Sequence, residues 1–443
     1  MKNIGLLYFF AIPMLLTLPR VSVMAEAQKD PYAEVERQVG EWHRAMVAAK
    51  DRSAEQEYAE RNAQIAPRVE DIAPLNPDNA ALLYYQAFLL RPEPNAAVVE
   101  KIHDIFFDAQ PDRQIRIYLG HCLPMIQMAE VASQIPQCTW GIGSERALSE
   151  SALRTNVGHL YYILLVDART LAVDGHYQAA LECCLTVRRL ARHLVQDSEL
   201  DLFGTSPDLM ALRTVQHVLG IMPPDAEILT WLRGQLAVVP GPQLSFAETL
   251  RERVQRYLYH MRTTPVSLRH FKNLAVEKAK SEQAKQNIRE LTDEQFLSRV
   301  HDEFGHLTDT IFRIVDSDMT YEQKQTQLQG SIGKLLKDND ADPIMKVAIS
   351  AAGMGMDYEL DRHYPFLVGH QAHINGIKAA AEVYLVLAKT GRLPEKLPDY
   401  LPKDPFTGHD FVYEITDEGF ALRCQGEEFL RRKNRFLEFK VKK

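Results

Sequence analysis

Apolar residues recur at helical spacing from about residue 31 to residue 368. In one predicted helix they fall on a single face, at Leu160, Ile163, Leu164, Ala168 and Leu171. The pattern resumes after Asp174-Gly175, at Tyr177, Ala180, Leu181, Cys184 and Leu185. Because each helix has one apolar stripe, we predict two antiparallel helices that pack across a glycine turn, with Tyr177 and Leu181 in their core.

A helix start is indicated before the apolar run at residues 80–90. Asn76 is the expected N-cap, Pro77 the first helical residue and Asp78 an acid of the first turn. Together, these patterns predict a mainly α fold over residues 26–368, with antiparallel helix pairs in an irregular solenoid or bundle.

The pattern changes near Gly391, where a last apolar helix stripe (Ile374, Ile377, Ala381, Tyr384, Leu385 and Ala388) ends. Apolar residues then alternate in three runs: Phe411, Tyr413, Ile415; Phe420, Leu422, Cys424; and Leu437, Phe439, Val441. We predict that residues 369–443 form a helix capped by a small antiparallel β-hairpin, with a third strand from the last run. Since a lone hairpin is marginal in water, Tyr384 or Leu385 should contact Phe411, Tyr413 or Leu422, and Cys424 should be buried outside any disulfide.

The stretch Leu171-Ala172-Val173-Asp174-Gly175-His176-Tyr177-Gln178-Ala179-Ala180-Leu181 resembles the turn of a tetratricopeptide repeat. The resemblance covers about 35 residues and implies a helix–turn–helix unit. The Trp and Leu-Gly positions of that family's first helix are not matched, and no sustained 34-residue period follows. Irregular helix pairs of similar geometry are therefore expected.

The tail resembles the C-terminal half of type II secretion major pseudopilins, through Gly391-Arg392-Leu393-Pro394-Glu395-Lys396-Leu397 and Asp404-Pro405-Phe406-Thr407-Gly408. That resemblance implies a helix leading into a small sheet. The family's acidic calcium loop is not reproduced at Gln425-Gly426-Glu427-Glu428, so no calcium or other cofactor is expected. The chain is also similar to uncharacterised families of exported helical proteins with the same tail.

Residues 1–25 have the order of a secretory signal peptide. Lys2 precedes an apolar core over residues 4–18, and Val23-Met24-Ala25 offers a cleavage site. No later apolar run reaches membrane-spanning length. We expect a periplasmic or secreted protein cleaved near Ala25, without a transmembrane span in the mature chain; an uncleaved signal anchor is the alternative.

The 443 residues carry a formal net charge of −8, which argues against a nucleic-acid partner. Basic residues concentrate in segments 251–280 and 431–443, so an anionic envelope polymer or an acidic protein is a candidate partner of these segments, and a solvated face is the alternative. Of the five cysteines, Cys122 and Cys138 are placed to close a short disulfide loop, although buried thiols are the simpler interpretation.

Metal-ligating side chains are densest at Asp357, Glu359, Asp361, His363, His370 and His373. The candidate metal ligands are Asp361, His363, His370 and His373, but their spacing matches no known signature, and the two later histidines share an apolar helix face. His301 and His306 are five residues apart, whereas the zincin motif needs two histidines four residues apart on one helix face. The sequence therefore predicts an exported scaffold or protein/envelope-interaction module without evident catalysis; the alternative is a metal-dependent enzyme that uses the Asp357–His373 cluster.

Overall fold

A computed structural model provides the structure of the protein. It describes residues 31–63, 78–94, 96–106, 109–141, 146–196, 201–239, 259, 262–263, 265–337, 342–344, 364–425 and 437–441. The chain divides into two compact units, Met1–Lys50 and Asp51–Lys443. In the first unit, the described residues 31–50 are helical. The second unit contains residues 51–63 of the same helix and all the other helices and strands of the described residues.

Thirteen helices and three strands lie in the described residues. The helices are α1 Pro31–Ala63, α2 Ala80–Leu89, α3 Ala96–Phe106, α4 Arg113–Gln134, α5 Arg146–Val173, α6 Tyr177–Gln196, α7 Asp201–Ile221, α8 Ala226–Val238, α9 Pro265–Lys278, α10 Glu282–Glu290, α11 Asp293–Val315, α12 Tyr321–Lys337 and α13 Tyr364–Thr390. The strands are β1 Val412–Thr416, β2 Gly419–Arg423 and β3 Leu437–Lys440. The predicted fold class, mainly helical with a small antiparallel sheet near the C-terminus, is confirmed.

The turn between α5 and α6 closes as its sequence predicts. Gly175 has a φ of +87°, in the left-handed region that favours glycine. The backbone N–H of His176 donates to Leu171 O at 2.8 Å, and that of Gly175 donates to Ala172 O at 3.2 Å. These two bonds form a Schellman motif, which satisfies the last carbonyls of α5 and lets the chain reverse. Leu181 is fully buried behind the turn, whereas Tyr177 is half-buried against the same core.

The N-cap of helix α2 lies three residues later than predicted. Its N-cap is Asn79, whose side-chain oxygen accepts from the backbone N–H of Ala81 at 3.1 Å. The same oxygen accepts from Thr139 N, and the amide nitrogen donates to Thr139 O. Asn79 therefore caps the helix and also joins it to the segment after α4, which explains the later start. Asn76 and Pro77 lie outside the described residues.

Two apolar cores hold the second unit together. The larger includes residues of α2 to α8, α13 and all three strands. The smaller lies between α9, α10 and α11 and contains Phe271, Ile288, Phe296, Val300 and Phe304. Since Leu307 and Ile311, further along α11, belong to the larger core, this helix takes part in both.

The three strands pair antiparallel in the order β1-β2-β3. Thr416 pairs with Gly419 around a two-residue loop, which fixes the register of the predicted hairpin. The sheet rests on α13, where a Cβ added to Gly376 would lie 2.2 Å from Leu437 Cδ1. The absence of a side chain at Gly376 lets the end of Leu437 pack directly against α13, and a Cβ there would displace it.

Contact between α13 and the sheet is formed through Tyr384, as predicted. Its ring packs on Phe420 and Phe439, with centroids 5.3 and 6.2 Å away. Cys424 is buried, as expected. The alternation places Ile415 on the covered face, yet it is 52% exposed; it lies next to the hairpin loop on β1, an edge strand of the sheet.

All five cysteines are buried and reduced. Cys122 and Cys138 are therefore not joined by a disulfide, and the simpler interpretation of buried thiols holds for them. Among the described helices, none combines the length and the apolar character needed to cross a membrane.

Candidate functional site

The predicted metal ligands fall partly outside the described structure. Two of the candidate ligands, Asp361 and His363, are outside the described residues, and so are the neighbouring Asp357 and Glu359. The other two candidates, His370 and His373, are on α13. The structure therefore describes two of the four candidate ligands.

His370 lies in a buried charge triad with Arg188 of α6 and Asp208 of α7. The two Asp208 oxygens have different partners: Arg188 Nε donates to Oδ1 at 2.7 Å, and His370 Nε2 lies 2.7 Å from Oδ2. The side chains of Arg188 and Asp208 are fully buried, and that of His370 is 5% exposed. The triad therefore joins three helices inside the larger core.

The electrostatics of the triad favour an ionised carboxylate. Burial alone would raise the pKa of Asp208, because it penalises the charged form. The positive charge of Arg188, together with the hydrogen bond and charge of His370, outweighs burial and places the pKa of Asp208 below its ordinary value. Asp208 is therefore an anion at neutral pH.

His373 does not join this group. Its Nδ1 lies 2.9 Å from Gly369 O of its own helix, and the ring is half-buried. Within the described residues, no group of three or more His, Cys, Asp or Glu side chains is arranged to hold a metal ion. His301 and His306 are both exposed on α11.

A second buried charge cluster surrounds Asp167 of α5. Its two oxygens accept from Tyr58 Oη and Arg61 Nη1, each at 2.7 Å. Arg61 Nη2 also reaches Glu130 Oε1 at 3.2 Å. Burial raises the pKa of Glu130 to about 7, against the opposing charge of Arg61. Burial likewise raises the pKa of the nearby Cys183 thiol well above its usual value, so this cysteine is a poor nucleophile.

An apolar stripe of a different kind lies on the outer face of α2. Leu82, Tyr85 and Leu89 are spaced by three and four residues, and they are 56%, 40% and 87% exposed. The other face of the helix is buried, through Ala80, Ala81, Leu83, Tyr84 and Ala87. We call Leu82, Tyr85 and Leu89 the α2 stripe.

Aromatic packing holds the α2 stripe in place. Tyr85 Oη donates to Trp140 O at 2.9 Å, and the Tyr85 ring packs edge-on against both Trp140 and Phe88. Trp140 itself stacks on Tyr84, with centroids 5.4 Å apart. The exposed ring of Tyr85 is therefore held in one position by its neighbours.

The basic segments are described only in part. In segment 251–280, the side chains of Arg262, Arg269, Lys278 and Lys280 are exposed. Lys272 is tied to α11, since its ammonium donates to Leu291 O and lies 3.8 Å from Asp293. In segment 431–443, Lys440 pairs with Glu418 of the hairpin loop at 3.1 Å.

Comparisons with protein-family models, with curated proteins and with solved structures each found no match.

Sequence reasoning missed Arg188, Asp208 and Asp167. The sequence contains a signal for two of them. Residues seven apart lie on the same face of a helix, so Asp167, seven after Leu160, and Arg188, seven after Leu181, each fall within an apolar stripe. A charged residue in a buried stripe needs a partner of opposite charge. The identity of that partner depends on packing between distant helices.

Proposed function

We propose that this protein is an exported helical scaffold that binds a partner protein through the α2 stripe. The observation that supports the proposal is the exposure of Leu82, Tyr85 and Leu89 in one row on a helix whose opposite face is buried. Single exposed apolar side chains are common, but an aligned row is typical of an interaction surface.

The chemistry of the stripe favours an amphipathic helix as its occupant. Apolar positions at i, i+3 and i+7 form a ridge that fits between the side chains of a second helix. Gln86, the other exposed residue on this face, is uncharged, so the stripe offers no charge to recognise a polymer of phosphate or carboxylate groups. The fixed Tyr85 ring reduces the ordering cost of binding.

Export is part of the proposal and is supported by the pattern of residues 1–25. The glycine turn and the facing stripes of α5 and α6 support a tetratricopeptide-like helix pair in this scaffold, and the tail is proposed as its structural cap. N-terminal sequencing of the protein from its native cells should begin at Glu26. A chain that starts at Met1 and stays with the membrane would instead be an uncleaved anchor.

Site-specific cross-linking tests the binding surface. A photoreactive residue at Leu89 should give one discrete adduct, whose cross-linked peptide lies in an amphipathic helix of the partner. Val238 is the matched control, because it is an apolar helix residue that is 74% exposed and lies outside the stripe.

The control and a second substitution make the result decisive. With the photoreactive residue at Val238, the adduct should be absent. With the photoreactive residue at Leu89, the additional substitution Leu82→Glu should abolish the adduct. The same adducts at both positions, or none at Leu89, would contradict the proposal. An adduct to a second copy of the chain would show self-association instead.

A further inference from the structure

We infer that the buried end of Arg188, together with Lys378, forms a binding site for a small oxyanion, either a carboxylate or a phosphate group. Arg188 uses Nε for Asp208, at 2.7 Å. Its two terminal nitrogens, Nη1 and Nη2, are buried and have no hydrogen-bond partner in the described part of the chain. The site is independent of the α2 stripe.

The unused nitrogens are the strongest reason to expect a ligand. A guanidinium presents its N–H groups as a planar fork that matches the two oxygens of a carboxylate or phosphate. Burying such donors without partners is costly, since the lost contacts with water are not replaced. The bond to Asp208 uses only Nε, so the N–H groups of Nη1 and Nη2 have no acceptor among the residues that the structure describes.

Asp208 forms no hydrogen bond with Nη1 or Nη2 of Arg188. Its Oδ1 is taken by Arg188 Nε, and its Oδ2 lies against His370 Nε2. One turn earlier on α7, the hydroxyl of Thr205 is also buried and lacks a partner within the described structure. Among the described residues, Thr205 is therefore a second buried polar side chain without a partner, on the helix that supplies Asp208.

Lys378 adds a second positive charge from α13. Burial lowers the pKa of Lys378, and the charge of Arg188 lowers it further. Lys378 lies on α13, the helix that also supplies His370 of the triad, and its positive charge opposes that of Arg188. A bound anion would reduce this repulsion. Lys378 is half-buried, so solvent reaches part of its side chain, whereas the side chain of Arg188 is fully buried.

Thermal unfolding in the presence of anions tests the inference. The mature protein is titrated with inorganic phosphate, with acetate and with chloride at constant ionic strength. We expect the melting temperature to rise with the logarithm of phosphate or acetate concentration, and not with chloride. The more effective of the two anions identifies the phosphate or the carboxylate as the ligand group.

Two substitutions and a control assign the effect to the site. Lys378→Met should weaken the apparent affinity for the anion by about tenfold or more. Lys389→Met, an exposed lysine of the same helix, should leave the affinity unchanged. The double variant Arg188→Met/Asp208→Asn removes both charges of the pair and should lose the anion response.

Two results would overturn the inference. If phosphate and acetate act no better than chloride, no oxyanion binds. If Lys378→Met responds as the unmodified protein does, the anion binds elsewhere. Should the double variant fail to fold, as judged by circular dichroism, the comparison of Lys378→Met with Lys389→Met decides the question alone.

Discussion

Replacing Asp208 with asparagine tests whether the buried triad holds α6, α7 and α13 together. Both oxygens of Asp208 are engaged at 2.7 Å, and its side chain is fully buried. Asparagine preserves the shape of the side chain but leaves the buried charge of Arg188 without a counter-charge. Removing one partner of such a pair costs roughly 3–5 kcal/mol of unfolding free energy, and we expect Asp208→Asn to fall in that range.

The effect should depend on pH in a definite direction. Because the folded-state pKa of Asp208 lies below its ordinary value, the ionised carboxylate stabilises the fold above an unfolded-state pKa of about 3.9. That stabilisation is lost as the pH falls through the lower, folded-state pKa. The difference between the parent protein and Asp208→Asn should therefore be full at neutral pH and shrink in acid.

Urea unfolding followed by circular dichroism measures both effects. Asp309→Asn is the matched control, because Asp309 is an exposed helical aspartate, and its change should stay within about 0.5 kcal/mol. If Asp208→Asn were as harmless as this control at neutral pH, the triad would not be a buried ion pair.

Four other experiments probe the packing, the buried charges and the metal question. Leu181→Ala should lower the unfolding free energy by roughly 2–5 kcal/mol through a core cavity, and a negligible effect in urea unfolding would refute the packing of α5 on α6. Deleting the chain from Gly391 onward should uncover Tyr384 and lower the melting temperature and solubility; an equally stable product would make the tail an appendage. Burial raises the pKa of Glu130 to about 7, so the folded protein loses stability as the pH rises from about 4.3 through that value. Glu130→Gln should therefore raise the melting temperature at about pH 8 and not at about pH 4, whereas equal shifts at both would contradict the burial of this charge. Elemental analysis of the mature protein should find zinc far below one equivalent, and stoichiometric zinc that is lost in His370→Ala would favour the metal-dependent enzyme.

Local signals in the sequence predict the parts of the fold that neighbouring residues determine. The α5–α6 turn depends on Gly175, whose left-handed conformation follows from the missing Cβ. The hairpin depends on the alternation of apolar and polar residues and on a short turn. Its register, in which Thr416 pairs with Gly419, follows from these two local features. These features need no knowledge of distant parts of the chain.

The buried charges could not be predicted because their partners are remote. Asp208 lies 20 residues from Arg188 and 162 from His370, and only the packing of α6, α7 and α13 brings the three together. The α2 stripe was also missed as a surface, because an apolar run by itself does not show which side is covered.

The central claim, that the α2 stripe binds an amphipathic helix of a partner, is tested most directly by hydrogen exchange. The helix identified by cross-linking at Leu89 is synthesised as a peptide and added to the mature protein and to its Leu89→Glu variant. We predict slower amide exchange across α2 (Ala80–Leu89) in the mature protein, and no change in the variant. Slower exchange at another helix, or equal protection in the variant, would contradict the claim.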